Sequence, residues 1–217
     1  MNKLLCAAVL SVVSLATAPA ATEQEIVNQS ARILRKFRSM PETAIPERVL
    51  RDAEGLAILT VVKVGFGLSG KGGQGVVVAR TADGWSDPSF VGTGGAGWGL
   101  QIGAQITEFV FVLNTREAVR AFSRDGNVTI GADLSAAAGP VGRNLQAGVL
   151  PRAAVYTYSR SEGLFAGASL EGAIIATQKT ANRRYYRQPV RSTEILSGRV
   201  RSRRAAPLQA ALRGRRR

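Results

Sequence analysis

Between residues 22 and 40, TEQEIVNQSARILRKFRSM, the apolar positions Ile26, Ile33, Leu34 and Phe37 recur at helical spacing. Arg32, Arg35, Lys36 and Arg38 fill the other face, and Glu23 and Glu25 occupy the first turn, where the helix dipole favours acids. The pattern predicts a helix that Pro41 stops. A second, shorter helix is predicted from about Pro46 to Gly55, with Ile45, Val49 and Leu50 turned inward. From Leu56 the period changes. β-Branched runs alternate with glycine in LAILTVVKV, GVVVAR, FVGTGGAGWGLQIGA and ITEFVFVLN, which predicts strands joined by tight turns, Ala82-Asp83-Gly84 among them. Asn114 is the predicted cap of a helix over TREAVRAF, with Glu117 completing a capping box. Strands then resume in VTIGADLSAAAG, AVYTYSR and LFAGASLEGAIIA. A polar stretch, TANRRYY, leads to a short helical ending, STEILSG. Strands this close in sequence pair antiparallel. The expected fold is therefore α+β: a glycine-rich, mostly antiparallel curved sheet or barrel with flanking helices.

The glycines raise a specific question. Gly65-Phe66-Gly67-Leu68-Ser69-Gly70 satisfies G-x-G-x-x-G, and GFGLSGKG is one residue short of a P-loop. Both phosphate-binding motifs need a helix directly after the loop, because its N-terminal N–H groups hold the phosphates. Here QGVVVAR follows, a strand by propensity, and Gly72 stands where a P-loop needs Ser or Thr. The glycines instead predict bulges, sharp bends and close backbone approach in a strongly curved sheet. Room for an acyl chain at such an approach stays open as an alternative.

Composition narrows the chemistry. The chain has 217 residues, one cysteine and no histidine. Without histidine there is no Ser-His-Asp chemistry and no His-ligated metal. The first residues, MNKLLCAAVLSVVSLATAPAA, carry Lys3, an apolar run from Leu4 to Leu15, and Ala18-Pro19-Ala20. They read as a signal peptide over residues 1–21, with a periplasmic or secreted product that has lost Cys6. Residues 22–178 carry 15 Lys and Arg against 14 Asp and Glu, whereas residues 179–217 carry 13 against Glu194 alone. The body lacks the footprint of a nucleic-acid binder. Residues 191–217 read as a basic, disordered tail, which either solubilises the protein, adheres to anionic lipid, or binds an acidic partner.

The remaining acid–base candidates are carboxylates. Asp83 and Asp87 flank Trp85, but DGWSD reads as a turn with a packed indole rather than a sugar site. Neither an enzymatic activity nor a cofactor is expected. Tyr185 and Tyr186 beside Arg183, Arg184 and Arg187 form a basic-aromatic cluster that reads first as a segment closing the sheet edge, then as a lipid contact, and last as a stacking platform for nucleic acid.

The ordered set GFGLSGKGGQGVVVAR, DGWSDPSFVGTGGAGWGLQIGAQITEFVFVLNTREAVRAF, VTIGADLSAAAGPVGR and YTYSRSEGLFAGASLEGAIIATQKTANRRYY resembles the SYLF domain family of lipid-binding proteins, over about residues 30–190. The resemblance implies lipid binding without catalysis. Eukaryotic members bind phosphoinositides, and some also bind actin filaments. In those members a basic amphipathic segment at the start of the domain is associated with lipid contact. The matching segment here carries Arg32, Arg35, Lys36, Phe37 and Arg38. Lys63 and Lys71, flanking the first glycine stretch, join them as candidate contacts. For an exported chain, anionic phospholipid is the expected ligand. The rival expectation is a structural or protein-interaction module of the cell envelope. The apolar stripe of the first helix has two readings, cover for the sheet or insertion at the lipid interface.

Overall fold

The computed structural model describes residues 21–40, 44–124, 126–130, 133–138, 153–163 and 174–214. Residues 1–20 of the expected signal peptide, Pro41 and the expected strand residues 164–173 lie outside this set. The first predicted helix, α1 (Glu23–Ser39), begins with a capping box: Thr22 accepts from the Glu25 amide, and Glu25 accepts from the Thr22 amide at 2.7 Å. Those bonds hold the exposed Glu25 carboxyl below its ordinary pKa. Ile26, Val27, Ala31, Ile33, Leu34 and Phe37 are buried along one stripe. A short α2 (Glu47–Asp52) buries Val49 and Leu50, as their spacing predicts.

The sheet is built on two long strands. β1 (Gly55–Thr81) pairs antiparallel with β3 (Ser89–Leu113) from Gly55↔Leu113 to Val77↔Ser89, and the short β2 (Gly84–Trp85) folds back on the end of β1. Gly84, at φ 118°, makes the turn possible. The glycine stretch is thus strand, not a loop between strands. Gly65–Gly70 lies inside β1, the register shifts between Phe66 and Leu68, and strand continues to Thr81. The same glycine-rich strand curls back on itself. A Cβ on Gly75 would stand 2.0 Å from the Ile58 carbonyl oxygen, and one on Gly73 would stand 2.8 Å from that of Thr60. The Arg80 amide donates to the Glu54 carbonyl at 2.7 Å across the closure. Close approach is what the glycines provide.

α3 (Arg116–Ser123) follows β3. Its cap is Thr115, whose hydroxyl accepts from the Ala118 amide, and not the predicted Asn114, whose amide donates to the Ala153 carbonyl. β4 (Asn127–Thr129), β5 (Ala136–Ala138), β6 (Val155–Gly163) and β7 (Ile174–Thr177) bring the strands among the described residues to seven. β6 pairs with the second half of β3 and β7 with its first residues, both antiparallel; among the named strands that the structure describes, only β5–β6 is parallel. The architecture is α+β, a curled, mostly antiparallel sheet with flanking helices, as the sequence predicts.

Each sheet face carries a core. One carries Leu56, Ile58, Val110, Val112, Tyr156 and Tyr158 beneath α1. The other carries Ala57, Leu59, Val61, Phe109, Phe111 and Leu113 against α3, with the Phe109 and Phe111 rings stacked at 5.6 Å. The polar stretch TANRRYY is helical, α4 (Lys179–Tyr186), and buries Ala181, Asn182 and Tyr185. The basic tail is corrected too. α5 (Ser192–Leu196) and α6 (Ala206–Arg213) pack onto the body, with Ile195, Leu208 and Leu212 enclosed. A few apolar anchors outweigh the charge repulsion on which the expectation of disorder rested. Arginines at their flanks project outward or find carbonyls and carboxylates.

Candidate functional site

α1 crosses the sheet face of Ile58 and Val110. Alternation along paired strands carries that face onward to Thr60 and Glu108, then to Val62 and Ile106, then to Val64 and Ala104. Beyond Thr60 the helix no longer covers it. Val62, Val64 and Ile106 are 42 %, 52 % and 49 % exposed, while Ile58 and Val110 are sealed. The sheet therefore ends in an open apolar strip beside α1. A groove of about 390 Å³ runs between helix and sheet next to it, lined by Ile26, Gln29, Ser30, Arg32, Thr60 and Gln74.

The predicted site residues divide into outward and inward groups. Arg32 is exposed and donates to Gln29 at 2.6 Å; among the described residues neither it nor the exposed Arg35 makes an ion pair. Lys36 pairs with Glu108 at 2.9 Å, with Arg160 4.0 Å from the same carboxylate, which marks the boundary between sealed face and open strip. Phe37 is not a surface contact. It is 1 % exposed within the core, because its position in the helical repeat coincides with the buried stripe. Arg38 is structural as well. It pairs with Glu47 at 3.1 Å and donates to the Ala211 and Leu212 carbonyls at the end of α6. Lys63, between Val62 and Val64, lies on the opposite sheet face by alternation. The Lys71 stem runs over Gly95, whose Cβ would stand 2.8 Å from the lysine Cε. Arg32 thus lines the groove with Thr60, and Lys36 meets Glu108, one register pair before Val62 and Ile106, while Phe37, Arg38 and Lys63 are turned elsewhere. The strip itself is the part that sequence reasoning missed. LAILTVVKV is apolar throughout, so nothing local separates covered from open positions.

Asp87 and the tyrosine pair have structural partners. Asp87 is buried and accepts from the Ser202 amide and from Gln209 at 3.0 Å, with Arg201 at 3.9 Å. Burial nonetheless pushes its carboxyl above the ordinary value. Arg80 stacks on Trp85 at 3.9 Å, so the indole is packed, not displayed. Tyr185 sits against Phe90, under Arg204 at 4.6 Å, and burial pushes its phenol up to about 12. Asn182 accepts from the Phe90 amide at 2.8 Å and donates to Ser89, which fastens α4 to β3. Among the described residues no helix is long and apolar enough to cross a membrane.

The fold is a curled α+β sheet flanked by helices, with an open apolar strip on the sheet face that α1 partly covers. The family model Ysc84, described as "Las17-binding protein actin regulator", matches residues 94–215. The chain is 47 % identical over 178 residues to human SH3 domain-containing YSC84-like protein 1, covering 78 % of this chain and 52 % of that protein. It is 46 % identical over 182 residues to Protein YSC84 of Saccharomyces cerevisiae, covering 79 % of this chain and 39 % of that protein. The chain belongs to the Ysc84 family, whose shared domain is the SYLF domain. It spans about half, or less, of the length of these curated relatives. The match runs to residue 215, well past the expected boundary near 190, in agreement with the docked α5 and α6.

Proposed function

We propose that this chain is a non-catalytic module that binds anionic phospholipid surfaces through Arg32, Arg35 and the strip of Val62, Val64 and Ile106. The observation that carries the reading is the uncovered apolar strip itself, which continues the sheet face that α1 crosses, with exposed Arg32 and Arg35 on that helix. Each basic side chain near an anionic surface contributes on the order of 1 kcal/mol. Covering the exposed half of each of the three apolar side chains adds about 1 kcal/mol more apiece. The sum describes weak, reversible, salt-sensitive adhesion. The first residues support an exported setting: α1 is capped by Thr22, two positions past Ala18-Pro19-Ala20. N-terminal sequencing of the product from the native host tests it, and an unprocessed chain counts against export.

Co-sedimentation with phosphatidylglycerol vesicles tests the lipid reading. Retention falls as salt rises, and Arg32→Gln/Arg35→Gln weakens it by about tenfold or more. Val62→Ser/Ile106→Ser weakens it comparably without changing the salt slope. With no histidine in the chain, retention is flat between pH 6 and 8. Equal retention on neutral vesicles, or indifference to both variants, refutes the reading. A protein partner is the second reading, favoured by the family description as a Las17-binding actin regulator. Co-sedimentation with filamentous actin in the absence of lipid separates the two.

A further inference from the structure

The chain brings an apolar segment of its own to the edge of the open strip. Lys3 is the only charged side chain before Glu23, and residues 4–15 carry none. The point where this segment meets the folded body is fixed. Ala21 packs against the core beneath α1, and the capping box holds Thr22 next to it. Ala21 also lines the groove between α1 and the sheet, together with Ile26 and Thr60. Thr60 and Val62 are successive positions on one sheet face, about 7 Å apart, and Val64 follows at the same interval. Residues 16–20 span at most about 17 Å when extended. That tether is long enough to lay the apolar run across Val62, Val64 and Ile106.

Charge and area favour this occupant over a second copy. The chain carries a formal net charge of +14, so two copies meeting strip to strip repel each other. A specific interface between separate proteins buries about 800 Å² on each partner. Three half-exposed side chains supply only a fraction of that. A tethered segment needs far less area, because it faces the strip at an effective concentration of about millimolar. It is also uncharged, so it approaches the exposed Arg32 and Arg35 of α1 without repulsion.

We infer that in the uncut chain residues 4–15 seat on the strip of Val62, Val64 and Ile106, and that removal of the segment uncovers it. The fold then carries its own cover for its stickiest surface. The seating stands on the strip and the tether. Its consequence, that lipid adhesion begins only after cleavage, rests on the reading of the strip as the lipid surface.

Cys6 is the chain's only cysteine, so a nitroxide attached to it reports where the segment lies. The test is methyl NMR of the uncut full chain without lipid. The expected result is broadening of the Val62, Val64 and Ile106 signals, with Leu196 on the other sheet face unaffected. Val9→Asp/Val12→Asp puts charge into the segment and leaves the folded body untouched; it lowers the broadening by about threefold or more. The same variant raises binding of the dye anilinonaphthalene sulfonate about twofold, as uncovered apolar surface does. Val62→Ser/Ile106→Ser abolishes that rise, which separates the strip from basic patches that attract the sulfonate. Mixing nitroxide-bearing chain with isotope-labelled chain tests the second copy, and broadening between chains overturns the inference. Absent broadening, or equal broadening at Leu196 and the strip, overturns it as well. Vesicle retention is scored separately: its loss with the seating intact removes the lipid reading alone, whereas retention without seating removes this inference alone.

Discussion

Replacing Leu208 by alanine isolates the apolar anchoring of the C-terminal segment from its charge. Leu208 lies in α6, is 0 % exposed, and shares a core with Phe37 and Leu34 of α1. The substitution leaves every arginine in place. The lost transfer free energy of three carbons is about 2.4 kcal/mol at roughly 0.8 kcal/mol per methylene. The residual cavity adds to it, and buried leucines replaced by alanine cost about 2.7–5 kcal/mol in a well-packed protein. A helix near the chain end relaxes more than a central strand, so about 3 kcal/mol is expected. For a domain of this size the melting temperature then drops by roughly 6–12 °C. Urea unfolding followed by circular dichroism reads the effect as a lower midpoint at unchanged m. A solvated basic arm predicts a change within about 0.5 kcal/mol, as at other surface positions. A change that small would refute the docking of α6 and return residues 191–217 to the class of disordered tails. It would also remove the role assigned to Arg38 as partner of the α6 carbonyls.

Two further tests address the curl and the buried carboxylate. Gly75→Ala sets a methyl 2.0 Å from the Ile58 carbonyl and forces the halves of β1 apart, with a loss of at least about 4 kcal/mol or no folded product. Gly72→Ala meets open space and is neutral or mildly stabilising, which thermal melting of the pair checks. Asp87 has a folded pKa raised by burial above its ordinary 3.8. The folded state therefore holds its proton more tightly than the unfolded state, and that contribution fades as pH rises through the folded value. The stability of the unaltered chain relative to Asp87→Asn accordingly falls from acid pH towards neutrality. A relative stability that rises with pH over that window contradicts the assignment.

What could be read from the sequence was whatever a local pattern determines. The 3.6-residue recurrence of Ile26, Ile33, Leu34 and Phe37 gives α1, and GVVVAR after the glycines speaks against a phosphate loop, although the expected turn between two strands is itself strand. What escaped depended on partners distant in sequence. α4 was hidden because its inward stripe is Ala181, Asn182 and Tyr185, and Asn182 becomes an interior residue only when the Phe90 amide and Ser89 hydroxyl meet it. Thr115 and Asn114 are equally good caps on paper; the Ala153 carbonyl, 39 residues away, occupies Asn114 and leaves the cap to Thr115. Residues 191–217 invited a reading by net charge, but Ile195, Leu208 and Leu212 decide the outcome, since a few enclosed side chains outweigh repulsion that water and salt screen.

The same distinction separates the candidate cations. Composition gives Arg32, Arg35, Lys36 and Arg38 one shared face, yet the fold assigns them different tasks within two helical turns. Arg38 holds α6, Lys36 closes the sheet at Glu108, and Arg32 and Arg35 remain with the solvent. Removing an inward cation strands a buried partner, whereas removing an outward one strands nothing. Stability and binding are therefore expected to separate along this helix. Arg38→Ala lowers the unfolding midpoint and affects vesicles only through the loss of folded protein, while Arg32→Gln/Arg35→Gln leaves unfolding unchanged and abolishes the salt-sensitive retention. If the two properties move together in both variants, the basic face of α1 acts as one structural unit, and the open strip beside it has no cationic border to offer a lipid.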